Sequence, residues 1–209
     1  MMSAVTLRSR RTRPARFEAV KISLVNPMYQ RRILAHHAVF TAYGFWLPND
    51  PRGSWSDYVG SWELARFGQA TKVTTRRSVA AAPHDYQQRQ AAKRVLKYPP
   101  VEFTGQQCKT IGDGFRRAVD ESGYVIHACS ILPTHVHLVI LRHERDAERI
   151  IGHLKARATQ ALKAENLHPL AEFADEDGNI PTPWTKRGWP VFLYTAAEIR
   201  RAIRYVEKN

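Results

Sequence analysis

Apolar positions recur with two different periods along this chain, and the switches between them mark out its elements. From Thr104 onward, Cys108, Ile111, Phe115 and Val119 recur at steps of three and four, which predicts an amphipathic helix ending before Gly123. Thr104 and Gln107 have the spacing of a capping box at its start. "GYVIHACSIL", residues 123–132, then reads as a strand, Pro133 and Thr134 as a turn, and "HVHLVILR", 135–142, as the returning strand of a hairpin. Residues 144–166 regain the helical period, with Ile151, Leu154, Ala158, Ala161 and Leu162 on one stripe. "GWPVFLYT", 188–195, predicts a last strand. Thr195 and Glu198 cap a last helix whose buried stripe would be Ile199, Ala202, Ile203 and Val206, with Arg200, Arg201, Arg204 and Lys208 facing away.

Upstream, "LAHHAVFTA", 34–42, alternates weakly and predicts a first strand. Residues 43–62 read as a loop. The stretch 63–100 is polar, basic and poorly periodic, an insertion with one helix expected at 84–97. The order predicts an α+β fold: a ferredoxin-like (RRM-like) βαββαβ core whose antiparallel sheet carries helices on one face, plus a C-terminal helix. The other face would be open. Residues 34–209 form that domain, and 1–33 form a basic arm.

Charge adds a partner. The net charge is +13 over 209 residues, which favours a polyanion, and nucleic acid is the commonest. Hydrophobic residues make up 44 %, enough to exclude a disordered chain. Two cysteines, Cys108 and Cys129, are too few for a disulfide framework. No apolar run approaches the ~20 residues of a spanning helix. The expected setting is cytoplasmic and nucleoid-associated, as a monomer or homodimer. The head "MMSAVTLRSRRTRPARFEAVKISL" reads as an arm on phosphate, as a transit peptide, or as a leader without a role.

The chemistry concentrates in "PTHVHLVI". Along a strand, i and i+2 point the same way, so His135 and His137 stand together while Val136, Leu138 and Ile140 point to the opposite face. Neutral imidazoles so placed supply two ligands to a metal and leave room for substrate. The bland reading of a His-x-His pair is structural or surface. His127, on the preceding strand, reads as a core histidine. On the last helix, Tyr205 and Asn209 are four residues apart and share one shoulder of the buried stripe. Trp46, Trp55 and Trp62 in the 43–62 loop either pin it to the body or, beside Arg52, stack on unpaired bases.

These residues resemble a known family. "YVIHACSILPTHVHLVI", "IIGHLKARATQAL" and "WTKRGWPVFLYTAAEIRRAIRYVEKN" resemble segments of the single-tyrosine HUH transposases, especially the REP-associated tyrosine transposases, and "FTAYGFWLPNDPRGSW", which precedes them, is similar to the first-strand and loop signature of one branch. The resemblance implies that His135 and His137 bind Mg²⁺ or Mn²⁺, with Asn209 as third ligand through its amide oxygen. It implies that Tyr205 attacks a phosphodiester of single-stranded or hairpin DNA, leaving a 5′-phosphotyrosine and a free 3′-OH. Lys155, Arg157, Arg52 and Trp46 are the expected DNA contacts. Two other classes stay open: a domesticated hairpin-DNA binder that does not cut, and an RNA-binding module of the same topology, for which stacking aromatics belong on the first and third strands.

Overall fold

The computed structural model describes residues 32–48, 50, 58–59, 61–70 and 83–209. The basic head through Arg31, Trp55 and Arg52 lie outside these residues. The elements follow the expected order: β1 (Ala35–Thr41), α1 (Trp62–Ala65), α2 (Tyr86–Arg94), α3 (Gly105–Ser122), β2 (Ile126–Ile131), β3 (His135–Leu141), α4 (Ala147–Ala164), a 3-10 turn (Ala171–Phe173), β4 (Trp189–Leu193) and α5 (Ala196–Glu207).

Local chemistry sets the helix ends. Thr104 and Gln107 form the reciprocal capping box at α3, and Thr195 and Glu198 form the one at α5. Asp146 caps α4 by accepting from the Arg149 backbone N–H, and Asp85 does the same for α2 through Gln88. Gly123 ends α3 at φ +66°, a conformation that a side chain would strain.

The four strands pair antiparallel in the order β2-β3-β1-β4. On one face, Ala38 and Phe40 of β1 and Val136, Leu138 and Ile140 of β3 meet Ile111 and Phe115 of α3 and Ile150, Ile151, Leu154 and Ala158 of α4. Burying side chains of this size stabilises by roughly 1.5–3 kcal/mol each. On the other face, Ala35, Ala128, Val139 and Leu193 meet Ala202 and Val206 of α5. The sheet is therefore covered on both sides. The expectation of an open face fails because the apolar stripe of α5 needs somewhere to go, and Val139, Leu193 and Ala35 supply it.

A bulge in β2 corrects a second expectation. Ile126 pairs with Ile140 and Ala128 with Val139, so His127 is an extra residue in the ladder. Ile126 thus faces α3 and α4, while Ala128, two residues on, faces α5. His127 is exposed, not a core histidine. Pinning also fails for Trp62, which opens α1 at 89 % exposure.

Candidate active site

The histidine face is built from the strand register. His135 and His137 share the α5 face of β3, as the alternation requires, with Val136, Leu138 and Ile140 in the core behind them. The two imidazoles lie 4.9 Å apart, centroid to centroid, nearly perpendicular. The Oγ1 of Thr134, the residue before His135, is 3.0 Å from His135 Nδ1. Phe45, in the loop after β1, lies against His135 at 5.3 Å, and Trp46 lies 6.3 Å from Phe45.

β1 contributes a residue that the sequence did not single out. His137 pairs with Val39, and Val139 with His37, so His37 sits diagonally beside His137 on the same face. The His37 Nε2 and His137 Nδ1 atoms are 3.2 Å apart and hydrogen-bonded, with the rings stacked at 5.3 Å. Burial holds His37 below the usual imidazole range. Burial also pushes His137 down to about 3, reinforced by His135 and His37. Both rings are therefore neutral at pH 7. A neutral ring carries one N–H and one lone pair, so one of the two donates and the other accepts.

α5 brings Tyr205 to this group. Ala202 and Val206 anchor the helix, and the tyrosine on its shoulder, half-exposed at 51 %, turns its ring onto the imidazoles. Its centroid is 5.4 Å from His137 and 5.6 Å from His37, edge-on to both. A phenol thus stands at the solvent side of three histidines drawn from two strands.

Asn209 lies just past the end of the helix that carries Tyr205. α5 ends at Glu207, and the Asn209 amide nitrogen donates to the Tyr205 carbonyl at 2.8 Å. The side chain closes the last turn, and its hydrogen bonds stay within its own helix. Among the described residues no group of three His, Cys, Asp or Glu is arranged to hold a metal ion.

The expected phosphate contacts on α4 are engaged inside the protein. The Lys155 ammonium donates to the carbonyls of Thr185 and Arg187 and lies 5.1 Å over the Phe40 ring. Burial pushes its pKa down to about 8. It ties the segment before β4 to α4. The Arg157 Nε donates to Glu121 at 2.7 Å, and its guanidinium also donates to Gln160. The Tyr194 ring lies 6.5 Å from that of Phe192.

No family model and no curated protein matches the chain. Among solved structures it is similar to a REP-associated tyrosine transposase bound to a REP hairpin, with a TM-score of 0.42, 11 % identity, and coverage of 85 % of this chain and 68 % of that one. It is also similar to a putative transposase from Deinococcus radiodurans R1, with a TM-score of 0.36, 12 % identity, and coverage of 85 % and 91 %. Likenesses this distant decide nothing about activity.

Proposed function

We propose that this chain is a transposase-like nuclease of single-stranded or hairpin DNA, in which Tyr205 is the nucleophile and the paired histidines serve the phosphate it attacks. One observation carries the reading. The Tyr205 ring lies against His137 on the face where His135 and His137 project, although the strand that bears the histidines and the helix that bears the tyrosine are far apart in sequence. The strand order, with helices α3 and α4 on one face, also supports a ferredoxin-like core.

Imidazole and amide donors are of types that suit a divalent ion. His137 stays neutral, as a ligand must. With His137 Nδ1–H donating to His37, the lone pair of that ring would lie on Nε2, and with Nδ1–H of His135 donating to Thr134, that of His135 would also lie on Nε2. His135 and His137 would hold Mg²⁺ or Mn²⁺, and Asn209 Oδ1 would be the third protein donor. Nitrogen ligands favour Mn²⁺ of the two. A bound ion would polarise the scissile phosphate and stabilise its growing charge.

The residues then do the following. The Tyr205 oxygen attacks phosphorus, the O3′–P bond breaks, and the 3′-oxygen leaves with a proton as a free hydroxyl. The phenol proton passes to solvent, which the half-exposed ring can reach. The product is a 5′-phosphotyrosine, which keeps the energy of the broken ester and allows rejoining by a 3′-OH without ATP. The net charge of +13 supplies affinity for the strand.

Replacing His135 or His137 by Ala tests the metal role. Cleavage of labelled hairpin DNA in Mn²⁺ should be lost while binding stays within a few-fold, because phosphate contacts carry affinity. Full cleavage by the double variant in a chelator would overturn it.

A further inference from the structure

The helix that carries Tyr205 also carries a basic face. Arg200, Arg201, Arg204 and Lys208 are all exposed along it. At about 100° per residue, Arg201, Lys208, Arg204 and Arg200 follow Tyr205 round α5 at about 40°, 60°, 100° and 140°, and the buried Ala202 and Val206 lie on its other side. The cations therefore form one arc that begins at the edge of the tyrosine. Arg200, Arg204 and Lys208 follow one another at single-turn steps, roughly 6 Å along the axis. That step is close to the one between successive phosphates of an extended strand.

This face lacks the pairing found on the other side of the sheet. On α3 and α4, Lys109, Arg116, Arg149 and Arg157 each have a carboxylate at 2.7 to 3.7 Å. Among the described residues no ion pair joins Arg200, Arg204 or Lys208 to a carboxylate, although Glu207 is exposed on the same helix. Arg201 differs, because it lies near Glu198, the capping carboxylate. Like charges one turn apart repel on a helix. The helix dipole favours Arg204 and Lys208 at the C-terminal end and gives Arg200, a turn in from the start, no such support. A polyanion laid along this row would relieve the repulsion.

We propose that the outer face of α5 is a phosphate track, on which Arg200, Arg204 and Lys208 hold the backbone of single-stranded DNA flanking the phosphate at Tyr205. A strand whose phosphorus meets the Tyr205 oxygen has its next phosphates one nucleotide away, within reach of long side chains on the same helix. Contacts to phosphate carry no sequence information, so the track holds the strand without reading its bases. It does what was expected of Lys155 and Arg157, whose side chains are engaged inside the protein. The inference rests on the reading of the chain as a single-stranded-DNA protein, and it is independent of cleavage.

The test compares wild type with two variants of equal charge. One combines Arg200→Gln, Arg204→Gln and Lys208→Gln. The other combines Lys109→Gln, Arg116→Gln and Arg149→Gln, on the helices across the sheet. Glutamine has nearly the helix propensity of Arg and Lys, so the circular-dichroism melts should stay close to wild type. The probes are an oligothymidylate, a mixed-sequence DNA of the same length and the matching oligouridylate, titrated from 0.1 to 1 M salt. Each phosphate contact on a single strand contributes about 0.7 to the slope of log K against log salt, so the α5 variant should lose about 2 of slope. Its curve should meet that of wild type near 1 M salt and lie about 100-fold weaker at 0.1 M, equally for both DNAs. The α3–α4 variant should keep the wild-type slope. Equal slopes for wild type and the α5 variant would overturn the track, even if Tyr205 adducts form. Equal losses in both variants would also overturn it, since net charge alone would then act. A slope lost only in the α5 variant, without any adduct in wild type, would keep the track and overturn the nuclease reading. Tighter binding of the oligouridylate than of the oligothymidylate would overturn the assignment to DNA.

Discussion

Replacing His37 by Leu removes the side chain that is hydrogen-bonded to His137, and the consequences can be worked from the 3.2 Å contact between Nε2 and Nδ1. Leucine roughly fills the imidazole volume on an interior strand, so β1 should keep its register. Two effects follow. The His137 Nδ1 loses its partner in a site where the residue is 7 % exposed, which costs about 1–3 kcal/mol of stability. His137 also loses the acceptor that fixes its Nδ1–H tautomer, and outer-sphere partners of this kind are worth about 10- to 100-fold in metal affinity. His37→Gln restores a carbonyl acceptor and should recover most of that loss. The assay is a Mn²⁺ titration read two ways, by electron paramagnetic resonance of free Mn²⁺ and by cleavage of labelled hairpin DNA. His37→Leu should move both curves to higher Mn²⁺ by one to two decades, and His37→Gln should lie near wild type. Coincident curves for wild type and His37→Leu would refute the positioning role.

Two further outcomes follow from the packing. Lysine 155 is pushed down to about 8 from 10.5, so between those values the unfolded chain binds the proton and the native chain does not, and stability rises with pH. At about 1.4 kcal/mol per pH unit the rise is at most about 3 kcal/mol. A urea denaturation series from pH 8 to 10.5 should show it in wild type and not in Lys155→Met, and equal slopes would refute it. Gly114→Ala would place its Cβ 2.7 Å from the Ala158 Cα and the Arg157 carbonyl oxygen. The helical gain of about 0.5–1 kcal/mol is outweighed by about 1–3 kcal/mol of overpacking, so the melting temperature should fall, and a rise would contradict the close α3–α4 contact.

How much was legible depended on whether a feature is local. The capping boxes at Thr104 and Thr195, the αL stop at Gly123 and the facing of His135 and His137 each follow from a few neighbouring residues, and the structure has them. His37 was out of reach because its place beside His137 comes from the β1–β3 register, which "LAHHAVFTA" does not encode by itself. The alternation does say that His36 and His37 face opposite sides of the sheet, which was the available signal. The exposure of His127 depends on one extra residue in the β2 ladder. Lys155 and Arg157 read as free cations because their partners, Thr185, Arg187 and Glu121, are about 30 or more residues away in sequence. Arg52 falls outside the described residues.

The most direct test of Tyr205 as nucleophile is a denaturing gel of protein mixed with labelled single-stranded hairpin DNA and Mn²⁺, run for wild type and Tyr205→Phe. Phenylalanine keeps the ring against His37 and His137 and removes only the hydroxyl. Wild type should give a slow covalent protein–DNA band and a fragment ending in a 3′-OH. Tyr205→Phe should bind the hairpin equally and give neither product. Robust cutting by Tyr205→Phe, as a metal-activated water would produce, or an adduct that persists in it, would contradict the account.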